Sequence, residues 1–155
     1  MFKILIDADG CPVVEESIDI GEFYNIPVVI VADSSHVFAY EGVETIICDK
    51  GKDRADFVLL QKVNKNDIVV TQDYGLATLV LSRQAYPISQ NGLRYSDDNI
   101  DALLLSRHQG SIARKHKKYG SPMKKRTGDD DARFITSLRA LVLQILESND
   151  DKDFL

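Results

Sequence analysis

The 155-residue chain is predicted to fold as one three-layer α/β domain with a mostly parallel sheet of about five strands. Three features predict this. Short apolar runs alternate with helix-length amphipathic segments, the order expected when helical crossovers join parallel strands. The run Pro27-Val-Val-Ile-Val-Ala32 is apolar throughout, as in a strand covered on both faces. The first apolar run ends in Asp7-Ala-Asp-Gly-Cys-Pro12, and Pro12 opens a helical pattern, since Pro is favoured in the first turn of a helix.

Phe2–Ile6 is the first expected strand, and Val13–Tyr24 the first helix, with Val14, Ile18 and Phe23 on its apolar side. Pro27–Ala32 and the short β-branched Glu44–Cys48 are the next two strands. Lys52–Val63 follows as a helix that places Ala55, Val58, Leu59 and a snorkelling Lys62 on one side. Asp67–Thr71 is a strand, Tyr74–Arg83 a helix and Ala85–Ile88 the last strand of the sheet. Ser96–His108 is expected to be helical through Ile100, Leu103 and Leu104. Gln109–Gly128, rich in Gly, Ser, Lys and Arg, reads as a basic loop or arm. Asp129–Glu147 is a final helix with Phe134, Leu138, Leu141, Val142 and Ile145 at helical spacing, and its acidic start suits the positive helix N-terminus. The expected domain is therefore 1–147, followed by an acidic flexible tail at 148–155.

Composition narrows the class. A chain that is 44% hydrophobic folds without staples, and two distant cysteines, Cys11 and Cys48, form neither a disulfide framework nor a zinc ribbon. This usage fits a reducing cytoplasm. Asp7 interrupts the first apolar run, which argues against a signal peptide, and no apolar stretch approaches a membrane span. Net charge is −5, unevenly spread: 102–128 carries eight Lys/Arg and no Asp/Glu, leaving 11 basic and 24 acidic side chains elsewhere. One basic segment on an acidic body points to local phosphate contact, not a general nucleic-acid coat.

The chemistry is expected at strand ends. Asp7 and Asp9 follow the first strand, and Asp73 follows Ile68-Val-Val-Thr71. In a parallel sheet these ends lie along one edge. Asp53 and Asp56, three apart, share a face of the next helix. Capping accounts for any one of these aspartates as readily as catalysis does. As a set they favour function, because an unpaired charge beside a buried strand is costly. Oxygen ligands without a His/Cys cluster suit Mg²⁺ or Mn²⁺. Thr71 suits bonding a phosphate oxygen or steadying a carboxylate, although taken alone it is better explained as an ordinary strand-to-helix cap. Cys11 lies at an expected helix N-terminus, which favours thiolate, but no His is tied to it by pattern, and a small semi-buried residue is the simpler reading. Arg114, Lys115, Lys117 and Lys118 could grip phosphates, with Tyr119 stacking on a base, or be a solvated charge run. Arg107 and Arg133, on helices, could reach a substrate phosphate or the aspartates.

Ile6-Asp-Ala-Asp-Gly-Cys-Pro12, Gly51-Lys-Asp-Arg-Ala-Asp56, Asp67-Ile-Val-Val-Thr-Gln-Asp73 and Asp130-Asp-Ala-Arg-Phe134 resemble the bacterial YaiI/YqxD family, over Lys3 to about Leu146. That family is similar to PIN-like nuclease domains (the NYN/PIN group). The resemblance implies a parallel sheet in the order 3-2-1-4-5 and a Mg²⁺ or Mn²⁺ site made by Asp7, Asp56 and Asp73, with Asp53 as a helper. A fourth acid would be Asp97 or Asp98. The basic arm and long last helix depart from ordinary PIN domains.

The leading expectation is a metal-dependent phosphodiesterase acting on RNA, or on another phosphate-bearing substrate. One alternative is a haloacid-dehalogenase-type phosphatase, in which Asp7-Ala-Asp9 resembles the nucleophile pair, Val69-Val-Thr71 the second motif and Ser96–Asp101 the last acidic motif. The other is a non-catalytic RNA-binding or regulatory module. The sequence does not fix an oligomeric state.

Overall fold

The computed structural model describes residues 1–33, 39–51, 54–116 and 125–153, with the backbone alone for 110–116 and 151–153. Its elements are β1 (Ile4–Asp7), α1 (Val14–Phe23), β2 (Val28–Asp33), β3 (Glu44–Cys48), α2 (Arg54–Lys62), β4 (Ile68–Val70), α3 (Tyr74–Ser82), β5 (Tyr86–Ile88), α4 (Ile100–His116) and α5 (Gly128–Asp153). The five strands form one sheet in the order β3-β2-β1-β4-β5, every neighbouring pair parallel. Both the α/β class and the strand order agree with the expectation.

Strand alternation divides the core. Ile4, Ile6, Ile30, Ile68 and Val70 face a cluster with Val14 and Ile20 of α1 and Phe134, Leu138, Leu141, Val142 and Ile145 of α5. Their neighbours Leu5, Val29, Val31 and Val69 face the other way, against Leu59 and Val63 beside α2 and Leu76 and Val80 of α3. Side chains leave a strand alternately, so a continuous apolar run supplies two cores at once. A smaller cluster of Ala77, Tyr95 and Ile100, joined by Tyr74 and Leu103, seats α4 on α3.

Chain direction sets the site. From β1 the chain builds outward through β2 to β3, then returns to β1's other side to build β4 and β5. The crevice at the carboxyl ends of β1 and β4 is therefore the switch point at which open α/β sheets bind ligands. The opposite edge is closed by Asp67, 1% exposed, which accepts from Lys3 Nζ at 2.6 Å, the Lys3 backbone at 3.0 Å and Asn64 N–H at 2.7 Å. That aspartate is structural.

Several boundaries differ from those expected. α4 continues eight residues past His108 into the stretch read as a loop, and α5 continues to Asp153 through the stretch read as a tail. Phe23 is 76% exposed, not on the apolar side of α1, because the helix buries Val14, Ser17, Ile20 and Gly21 instead. Leu104 is also exposed, while its neighbour Leu103 packs toward α3. Gly92 has φ +89°, and a Cβ there would stand 2.7 Å from the Arg133 carbonyl oxygen, so the segment after β5 presses directly on α5. Among the described residues no helix is long and apolar enough to cross a membrane.

Candidate functional site

Thr71 joins the two strand ends. Its hydroxyl donates to Asp7 Oδ2 at 2.8 Å, and Thr71 Oγ1 itself accepts the Asp73 backbone N–H at 3.0 Å. The register explains the meeting: Ile6 lies opposite Val70, so Asp7 and Thr71 leave β1 and β4 at the same level. Asp73 then caps α3, its Oδ1 accepting Leu76 N–H at 3.0 Å. This leaves Asp7 Oδ1 and Asp73 Oδ2 without a hydrogen bond among the described residues. Gly10 turns the chain out of β1 at φ +70°, a conformation that suits glycine. The turn carries Asp9 toward β2, where its Oδ2 accepts Asp33 N–H at 3.0 Å. Asp7, Asp9, Thr71, Gln72 and Gln90 line a cavity of about 100 Å³.

The electrostatics are unfavourable to a bare carboxylate. Burial holds the Asp7 carboxyl above its usual value of 3.8; the Thr71 hydroxyl opposes this, while Asp73 and Asp9 add to it. Three carboxylates thus feel one another across the switch point. Among the described residues no group of three or more His, Cys, Asp or Glu side chains is arranged to hold a metal ion alone. Mg²⁺ commonly takes only one or two carboxylates and completes its shell with water and substrate phosphate. The oxygen-only donors fit that mode, in which Asp7 and Asp73 would be the residues to hold the ion.

The other expected site residues fall in different places. Asp56, on α2, lines an adjoining groove together with Asp73, apart from the Asp7 cavity. Arg107 places its guanidinium 6.0 Å from the Tyr74 ring centroid, beside the start of α3. α4 runs on through Arg114 and Lys115, which lie about 10 Å further along its axis. Arg133 pairs with Asp130 near the start of α5. Asp53, Lys117, Lys118 and Tyr119 lie outside the described residues. Asp97 lines a surface pocket with Lys65 and Asn66, residues that precede β4, so it stands at the opposite edge of the sheet, and Asp98 follows it in the same turn. The chain reaches that edge because Arg94 pairs antiparallel with Ile88. The fourth-acid expectation is thereby corrected. Cys11 is half-buried, as the simpler reading expected: burial pushes its thiol up to about 11, outweighing the Val13 backbone N–H.

Two residues were not singled out by the sequence. Arg126 Nε donates to Asp131 at 2.8 Å, Nη1 to Asn91 Oδ1 at 2.6 Å and Nη2 to the Gln90 carbonyl at 2.8 Å. Gln90 N–H in turn donates to Gln72 Oε1 at 2.9 Å. Arg126 therefore braces one wall of the Asp7 cavity, and nothing in a Lys/Arg-rich run distinguishes it. Tyr95, buried, donates to the Thr71 carbonyl at 3.1 Å and steadies that residue from behind.

Fold and site together define a parallel α/β protein with a carboxylate-lined switch point. The chain belongs to the family described as "Uncharacterized BCR, YaiI/YqxD family", whose model matches residues 5–144. It is 48% identical to a UPF0178 protein of Alkaliphilus oremlandii over 133 residues, 85% of each chain. It is 38% identical to a UPF0178 protein of Natranaerobius thermophilus over 146 residues, covering 94% of this chain and 99% of that one. A crystal structure of Rae1 (YacP) from Bacillus subtilis (W164L mutant) is similar at 17% identity and TM-score 0.45, over 94% of this chain and 91% of that one.

Proposed function

We propose that this chain is a Mg²⁺- or Mn²⁺-dependent phosphodiesterase that cleaves RNA, with Asp7 and Asp73 holding the cation and Thr71 orienting Asp7. The observation that carries this reading is the Thr71 bridge, which holds the Asp7 carboxylate and the Asp73 backbone together at the switch point although burial and the neighbouring carboxylates oppose the ionisation of Asp7. A cation relieves that repulsion. When bound, it supplies activation of water and charge neutralisation at the phosphate. The chain's own contribution is positional. Thr71 presents Asp7, the α3 cap presents Asp73, and Arg126 keeps the Gln90 wall in place. Asp9 lines the cavity while tying β1 to β2. Asp56, with Asp53 beside it in sequence, serves the outer margin of the site. Arg107, Arg114, Lys115, Lys117 and Lys118 contact the RNA backbone without reading sequence.

The phosphatase alternative loses its last acidic motif, because Asp97 stands at the opposite edge. The test is cleavage of single-stranded RNA by wild type and Asp7→Asn, with and without Mg²⁺ or Mn²⁺. Metal-dependent cleavage lost in a folded Asp7→Asn supports the reading. Full activity in that variant removes Asp7 from the mechanism. RNA binding that weakens steeply with salt, without turnover, would favour a binding module instead.

A further inference from the structure

Beside the carboxylates, α2, α3 and α4 enclose a groove of about 580 Å³. Asp56 and Asp73 wall one part of it, and Phe57, Leu60, Leu79 and Leu104 wall the rest. Phe57 is 62% exposed, Leu79 49% and Leu104 36%, values that core packing does not explain. Single exposed apolar side chains are ordinary, but three from three helices around one concavity are a ligand-binding feature. The volume falls within the range of about 300–1,000 Å³ typical of small-ligand pockets, which combine apolar walls with a few polar groups.

We propose that this groove binds an unpaired nucleobase of a single-stranded RNA, stacked on Phe57, with the adjoining phosphate directed past Asp73 toward Asp7. The proposal rests on the phosphodiesterase reading of Asp7 and Asp73, and it names the substrate form. Proximity supports it: Asp73 lines the groove, and Thr71 and Gln72, which immediately precede it, line the Asp7 cavity, so groove and cavity flank the same strand end. The groove's apolar walls match the flat apolar face of a base. Arg107 lies one turn beyond Leu104 on α4, with its guanidinium over Tyr74, beside Asp73. It supplies positive charge on the side where the phosphate runs. A base stacked inside a duplex has neither face available for Phe57, so the groove selects unpaired RNA.

The test uses the full chain and a short single-stranded RNA carrying one 2-aminopurine, whose fluorescence is quenched by stacking. Binding is read by stopped flow with Mg²⁺, before cleavage, and wild-type cleavage is measured in parallel. Phe57→Ala should lose the quench and weaken binding roughly tenfold or more, the scale of one base–aromatic stack. An abasic strand of equal length should bind wild type and Phe57→Ala alike, and Phe57→Trp should restore the quench. Unchanged binding by Phe57→Ala, or equal loss with the abasic strand, overturns the proposal. So does a dimer that Phe57→Ala dissociates in sedimentation while RNA binding is unchanged, which would make a second copy the occupant. The two readings fail separately. Asp7-dependent cleavage without any Phe57 effect removes the groove alone. Phe57-dependent stacking without metal-dependent cleavage supports the groove and removes the nuclease reading.

Discussion

Thr71 is 2% exposed, and its one hydroxyl serves two partners on different sides of the switch point. Thr71→Val keeps the shape and removes both bonds. It should reduce metal affinity and cleavage by about 10–100-fold, as is usual when a residue that orients a metal ligand is lost. Thr71→Ser should stay near wild type in the same assays. Asp7 illustrates the opposite conflict, between stability and function. Its carboxyl is held above the unfolded value of 3.8 mainly by burial, so the folded protein binds that proton more tightly than the unfolded chain. The resulting stability is fully present below 3.8 and is lost as pH rises through the raised folded value. Metal-free Asp7→Asn should therefore melt higher than wild type at pH 7, and the difference should vanish near pH 3.5; thermal melts at both pH values check this. Cys11, its thiol pushed up to about 11, should react with iodoacetamide at pH 8 far more slowly in the folded protein than in urea.

The elements show which physics a sequence displays. The strands were legible because continuous apolar runs are required of strands buried on both faces, and Glu44–Cys48 matches its expected bounds residue for residue. Helix ends were less legible. Gly110 and Ser111 suggested a loop, but Ala113, Arg114 and Lys115 are strong helix formers and α4 runs through to His116. The apolar stripe of α5 was read correctly: Phe134, Leu138, Leu141, Val142 and Ile145 all face the core. Phe134→Ala should cost about 3–5 kcal/mol in urea unfolding, the usual range for a fully buried Phe. Phe23 was misassigned because the buried stripe of α1 passes through Ser17 and Gly21, so apolar residues alone do not mark its phase. The aspartates at strand ends were visible from local pattern alone. Their junction through Thr71 was not, since it depends on β1 and β4 being neighbours. The bracing by Arg126 was hidden for the same reason, being made with Asn91 and Gln90, some 35 residues earlier in the chain.

At the scale of the whole molecule, strand order places the carboxylates, and charge is unevenly spread along the chain. On the proposed reading, the acidic body would repel RNA and the basic residues between Arg107 and Arg126 would attract its phosphates. Replacing Arg114, Lys115, Lys117 and Lys118 together by Gln should weaken RNA binding alike for different sequences. It should also reduce the log–log salt slope by about 3, the change for four lost phosphate contacts on a single strand. That result would assign the run to backbone contact; an unchanged slope would make it a solvated charge balance. The central claim is that Asp7 and Asp73 hold one cation between the ends of β1 and β4. Its most direct test is titration of the metal-free protein with Mn²⁺, following paramagnetic broadening of backbone amide signals. Broadening centred on Gly10, Thr71 and Asp73, abolished in Asp7→Asn and in Asp73→Asn, is the result expected. Broadening elsewhere, or none even with a short RNA present, would contradict it and leave the aspartates as caps of the turns they close.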